Sequence, residues 1–270
     1  MKLRAITGFF FIIVMLGSLL LGNYVFAAFY LLLSCLALWE FYGLVKKAGI
    51  KPDLPTGLLN GIAIFVLFAL LNIPAATGYR RLVFLLPITL SAVFIQELLK
   101  KHKTPFTNIG YTYLGLMFAI VPFTFFHALA YLGGTFNFHF PMAFLLMLWA
   151  NDTGAYLVGS KLGKTKLFER HSPKKTWEGL MGGILITALA AYGINLYFAD
   201  LSLMQWIWMG VIISCFGTTG DLIESMFKRS IDVKDSGSIL PGHGGLLDRF
   251  DGLLIAAPIV YAYLYFVTNT

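Results

Sequence analysis

Long apolar runs separated by short polar stretches dominate the chain. Nine runs of about 20 residues stand out, near 5–22, 24–45, 57–74, 82–99, 109–132, 141–160, 178–198, 204–227 and 250–268. A helix rising ~1.5 Å per residue needs about 20 apolar residues to cross the hydrocarbon core of a bilayer. The pattern predicts an all-α fold: a polytopic integral membrane helical bundle of about nine transmembrane helices. The first run follows Lys2 and Arg4 as a signal peptide would, but a second run begins almost at once, which favours a retained helix. Residues 1–140, with about five spans of anonymous apolar sequence, read as a scaffold with lipid access. Residues 141–270, with about four spans, hold nearly all the unusual polar residues and read as the catalytic region. No internal repeat or linker marks a soluble domain.

The basic residues sort by side. With the N-terminus inside and nine spans, the inside loops collect all but Arg80 and Arg81 of the 20 Lys and Arg. The positive-inside rule then selects N-in/C-out, with loops 161–177 and 228–247 cytoplasmic and the protein in the cytoplasmic (inner) membrane. This placement accounts for the net charge of +7 without a nucleic-acid partner. Basic inside loops also suit anionic lipid head groups and a polyphosphate. A hydrophobic content of 58% and a mean hydropathy of +0.78 exclude a soluble protein. Cys35 and Cys215 lie in apolar runs and offer neither a disulfide framework nor zinc spacing.

Ionisable residues inside the apolar runs carry the candidate chemistry. Asp152 lies nine residues before Lys161, ~14 Å along a helix from its inside end. A carboxylate facing lipid at that depth costs ~2.5–3.5 kcal/mol or more, so it faces the bundle interior. Asp221, Glu224, Ser225 and Lys228 recur at i, i+3, i+4 and i+7, one helical face. Asp248 and Asp251 share a face at the start of the last run. Asp221 and Asp248, with Asp251 or Asp152, are hard oxygen ligands that suit Mg²⁺. Ser172-Pro173 reads as a helix start whose free N–H groups, with Lys174 and Lys175, attract an anion. Glu40 reads as a water-reaching residue at the inside end of its span, and Glu97 as an interfacial ion pair with Lys100-Lys101. His127 and His139 read as structural.

The stretch from Ser225 to Asp251 concentrates charge in a chain that is only 12% charged. Its pattern is Ser225-x-x-Lys228-Arg229, Lys234-Asp235-x-Gly237, Leu240-Pro241-x-His243-Gly244-Gly245, Asp248-Arg249-x-Asp251. It resembles the signature of the phosphatidate cytidylyltransferase family, without a departure across these 27 residues. The runs Asn151-Asp152-Thr153-Gly154-Ala155-Tyr156 and Ser172-Pro173-Lys174-Lys175-Thr176-Trp177-Glu178-Gly179 are similar to family elements as well. The resemblance implies transfer of CMP from CTP to phosphatidic acid, giving CDP-diacylglycerol and pyrophosphate. It implies Mg²⁺ held by Asp221, Asp248 and Asp251, and a second cation beside it. The catalytic set it implies is Asp221, Asp248, Lys228, Arg229, His243 and Arg249. Substrate contacts fall to Ser172, Lys174, Lys175, Thr176, Glu178, Asp152, Ser225, Lys234, Asp235, Gly244 and Gly245. A homodimer is implied by the resemblance alone.

Two other classes compete. A transporter would bury Asp152 and Asp221 as an ion path, but has no need of a Gly-rich loop dense in Lys, Arg and Asp. A lipid kinase or CDP-alcohol phosphotransferase is nearer, since Asp248-Arg249-Phe250-Asp251-Gly252 looks like part of the latter's motif. The Ala-Arg expected after that Gly is absent; Ile255-Ala256 stand there.

Overall fold

The computed structural model describes residues 2–233, 236–237 and 244–268, with the backbone alone at 2–7 and 74–77. The helices run in order: α1 (Lys2–Leu20), α2 (Asn23–Lys47), α3 (Leu54–Asn72), α4 (Leu86–Leu99), α5 (Pro105–Gly115) and α6 (Val121–Ala128). They continue with α7 (His139–Leu162), α8 (Trp177–Asn195), α9 (Leu203–Ser230) and α10 (Leu247–Thr268). A 3-10 stretch, Pro74–Leu85, leads into α4, and a π-helical turn, Leu116–Ile120, joins α5 to α6. Each apolar run of the sequence falls on helix. Among the described residues, seven helical segments are long and apolar enough to cross a membrane. The described apolar part of α1, Gly8–Leu20, is shorter. α7, whose apolar run is broken by Asn151-Asp152-Thr153, is not among the seven.

Local chemistry sets several helix starts. Asp53 accepts the Thr56 amide at 3.2 Å and caps α3, while Ser202 and Gln205 form a capping box on α9. The segment between α7 and α8 departs from the sequence expectation. Lys166–Phe168 (β1) and Ser172–Thr176 (β2) pair antiparallel, so Ser172 lies in a strand and caps no helix. Thr176 is the cap instead, accepting the Gly179 amide at 3.1 Å. It directly precedes the apolar helix, and the strand pairing occupies the residues upstream.

The buried core joins both halves of the chain: Phe26, Tyr30, Phe123, Phe126 and Phe144 pack edge-on or tilted around one another. Glu97 departs from expectation too. It is buried, accepts Asn108 Nδ2 at 2.6 Å and meets His102 Nδ1 at 2.8 Å, while Lys100 reaches across to Asp53 at 2.5 Å.

Glycine seams bring the C-terminal helices together. A Cβ on Gly159 would stand 3.3 Å from Gly179 Cα, and one on Gly154 would stand 2.8 Å from the Gly182 carbonyl oxygen. Lipid supplies no hydrophobic force between helices, so backbone contact of this kind is what holds α7 against α8. The α9–α10 crossing works the same way: a Cβ on Gly217 would lie 3.9 Å from Gly252 Cα, and one on Gly220 would collide with the Asp251 carbonyl oxygen. These two seams position the site.

Candidate active site

The α9–α10 seam places Asp221 and Glu224 of one helix against Asp251 of the other. One oxygen from each lies within 4.8 Å of the other two. Three carboxylates so close repel one another strongly in a medium of low dielectric. Some counter-charge comes from lysines. Lys175 Nζ lies 2.5 Å from Asp221 Oδ2, and Lys228 Nζ donates to Glu224 Oε2 at 2.8 Å. Ser225 donates to Asp221 Oδ1 at 3.3 Å. Glu224 Oε1 is buried with no hydrogen-bond partner among the described residues. A buried carboxylate oxygen without a partner, facing two further carboxylates, fits a hard cation.

Asp248, expected beside Asp221 as a ligand, is not in that trio, and both its oxygens have other partners. Oδ1 accepts Lys228 at 2.5 Å, and Oδ2 accepts the amides of Ser236 at 3.1 Å and Gly245 at 3.0 Å. Gly244, in the left-handed region at φ 84°, turns the chain so that the Gly245 amide points at this carboxylate.

Two cavities meet here. One of about 590 Å³ is lined by Asp152, Ser172, Lys174, Lys175, Thr176 and Asp221, among others. The second, about 280 Å³, holds Asp248, Arg249 and Asp251 and is walled by Phe11 and Ile12 of α1. Asp152, Lys175 and Asp221 belong to both. The structure therefore gathers half of the sequence-derived residues around one continuous space, lysine-rich at one end and acidic beside an apolar wall at the other.

Two expected residues sit elsewhere. Glu178 accepts the amides of Lys164 and Thr165 at 3.1 Å each, so it anchors the strand hairpin and lines neither cavity. Arg229 donates to the Val233 carbonyl at 3.2 Å, at the end of α9. Lys234, Asp235 and His243 lie outside the described residues. Glu40 is the residue the sequence reading missed. It is buried rather than water-facing and accepts the amides of Leu246 at 2.8 Å and Leu247 at 3.2 Å, at the N-terminus of α10. No local sequence signal links it to residues 206 and 207 positions away.

The chain is similar to known proteins over nearly its whole length. Phosphatidate cytidylyltransferase from Staphylococcus aureus (strain COL) is 36% identical over 265 residues, covering 96% of this chain and 97% of the relative. The proteins of that name from Staphylococcus haemolyticus (strain JCSC1435) and Staphylococcus epidermidis (strain ATCC 12228 / FDA PCI 1200) are 34% and 33% identical, with the same coverage. The sequence pattern of the cytidylyltransferase family matches residues 2–267. With a lysine-lined cavity opening onto a carboxylate cluster, and with a match over nearly its whole length, the chain belongs to the cytidylyltransferase family.

Proposed function

We propose that the chain is a nucleotidyltransferase that moves CMP from CTP to phosphatidic acid, giving CDP-diacylglycerol and pyrophosphate. The observation that carries this reading is the pair of joined cavities, one basic and polar, the other acidic and bounded by the apolar face of α1. Relatives at 33–36% identity bear the name of that activity. In the reaction a phosphate oxygen of the lipid forms a bond to the α-phosphorus. The bond from that phosphorus to the bridging oxygen breaks, and pyrophosphate leaves with the electron pair. The nucleophile is already anionic, so the site needs no strong base; it needs to let two anions approach.

Lys174 and Lys175, with Ser172 and Thr176 beside them, would hold the triphosphate in the larger cavity. Arg249 would meet the lipid phosphate in the smaller one, with acyl chains running along Phe11 and Ile12. Asp221, Glu224 and Asp251 would hold Mg²⁺, which when bound neutralises phosphate charge and stabilises the charge of the in-line transition state. Lys228 bridges Glu224 and Asp248 and holds the two side chains in place. The carboxylates lining the smaller cavity, with Glu224, carry enough negative charge for the second cation that the sequence resemblance implies. Pairing of two copies rests on the resemblance alone.

The chemistry has a direct test. In bilayers with Mg²⁺, label on the α-phosphate of CTP should pass to the lipid, and label on the γ-phosphate should leave in pyrophosphate. A lipid kinase would place the γ-label on lipid, and a transporter would give no covalent product. Either result would overturn the reading.

We propose the N-in/C-out arrangement of nine spans with the site facing the cytoplasm. Ser236 is 2% exposed and so a poor labelling position. Single cysteines at Glu169 and Asp232, both exposed, should react only from the inside in a background lacking Cys35 and Cys215. One at Tyr197, 86% exposed beyond the far end of α8, should react only from the outside. Reversed labelling would invert the topology.

A further inference from the structure

Glu40 is the carboxylate that the proposed chemistry leaves unused. It lies on α2, in the half of the chain that carries no motif, yet its side chain is directed to the start of α10. Its two oxygens each accept one amide, from Leu246 and Leu247, just before Asp248. Free N–H groups at a helix N-terminus attract negative charge, and a carboxylate is the strongest side-chain acceptor for them. The loop is shaped around this side chain. A Cβ on Gly245 would collide with Glu40 Oε1 and Ser236 Oγ, and one on Gly237 would stand 3.0 Å from Glu40 Cδ. Ser236 and Gly245 are the residues whose amides hold Asp248 Oδ2.

We infer that Glu40 is a positioning residue for the cation-binding carboxylates, fixing the start of α10 so that Asp251 meets Asp221 and Glu224 while Asp248 meets Lys228. The inference rests on the proposed Mg²⁺-dependent transfer. Glu40 touches neither of the joined cavities, so it acts only through the elements it holds. Its removal leaves two amides of a buried helix start without their acceptor, and α10 shifts to find another. The lysine-lined cavity, built from α7, β1, β2, α8 and α9, does not depend on that start. The two halves of the site therefore respond differently.

The test compares Glu40→Gln and Glu40→Ala with Glu97→Gln, a change at another buried carboxylate of the N-terminal half that lines neither cavity. Mn²⁺ binding to the purified full chain is followed by electron paramagnetic resonance, alongside thermal unfolding and CMP-transfer rates. Loss of a group that orients metal ligands typically weakens metal binding or activity by about 10- to 100-fold. Glu40→Ala should raise the Mn²⁺ dissociation constant and lower kcat in that range, with a smaller change in KM for CTP. Glu40→Gln keeps one amide oxygen and should fall between Glu40→Ala and the unaltered protein. Glu97→Gln should lower the unfolding temperature and leave the Mn²⁺ constant unchanged. Unaltered Mn²⁺ affinity in both Glu40 variants, whether or not they unfold earlier, would overturn the inference. An unaltered protein without Mg²⁺-dependent transfer would instead overturn the functional reading, and the Mn²⁺ titration would still report on Glu40.

Discussion

Replacing Asp221 by Asn is expected to lower CMP transfer by about a thousandfold, equivalent to ~4 kcal/mol at ~1.4 kcal/mol per tenfold. Asp221 belongs to the carboxylate trio, pairs with Lys175 and lines both cavities, so it touches every part of the proposed machinery. Losing its charge removes a ligand and releases the lysine that would meet the nucleotide. Stability should move the other way. Without a cation the trio is repulsive, so the amide should leave the metal-free protein at least as stable as before. Saturating Mg²⁺ stabilises a protein that binds it by about 2.7 kcal/mol at a hundredfold excess over Kd, and the variant should lose most of that gain. Rates and unfolding temperatures with and without Mg²⁺ measure both effects. A near-normal rate, with Mg²⁺ stabilisation intact, would remove Asp221 from the site.

Lys228→Met should damage the fold as well as the reaction. The Lys228 ammonium bridges Glu224 on its own helix and Asp248 on α10, and it is almost fully buried. Methionine keeps most of the stem's volume and leaves two carboxylates without their cation. Breaking a buried pair from one side costs ~3–5 kcal/mol, because the remaining charge stays desolvated. Adding Glu224→Gln and Asp248→Asn to Lys228→Met removes the stranded charges. The triple variant should regain much of the unfolding temperature and none of the transfer activity. If Lys228→Met alone unfolds at the normal temperature, the bridge contributes nothing to stability and its proposed role fails.

The sequence made the helices and the polar cluster legible for different reasons. Apolar runs of membrane length leave the chain little choice but helix, and each run is helical in the structure. Asp221 and Glu224 could be placed on one face because helical periodicity fixes their relation within α9. Contacts between elements were harder to read. That Asp251 joins the trio while Asp248 turns to Lys228 depends on how deeply α9 and α10 interlock at Gly217, Gly220 and Gly252. Ser172 looked like a helix cap because Ser-Pro is a sound local signal; pairing with β1 overrode it and passed the cap to Thr176. Glu40 had no signal at all, since its partners are backbone amides more than 200 residues away.

That last contact bears on the order in which the molecule can be assembled. α10 carries Asp248 and Asp251, packs against α6 and α9, and receives its cap from α2. It is also the last of these ten helices to emerge during synthesis. Until it inserts, Asp221 and Glu224 face an empty slot, and Glu40 has no amides to hold. In the proposed arrangement, a nascent chain lacking α10 holds only part of the carboxylate cluster, and the arrival of that helix is what completes the site.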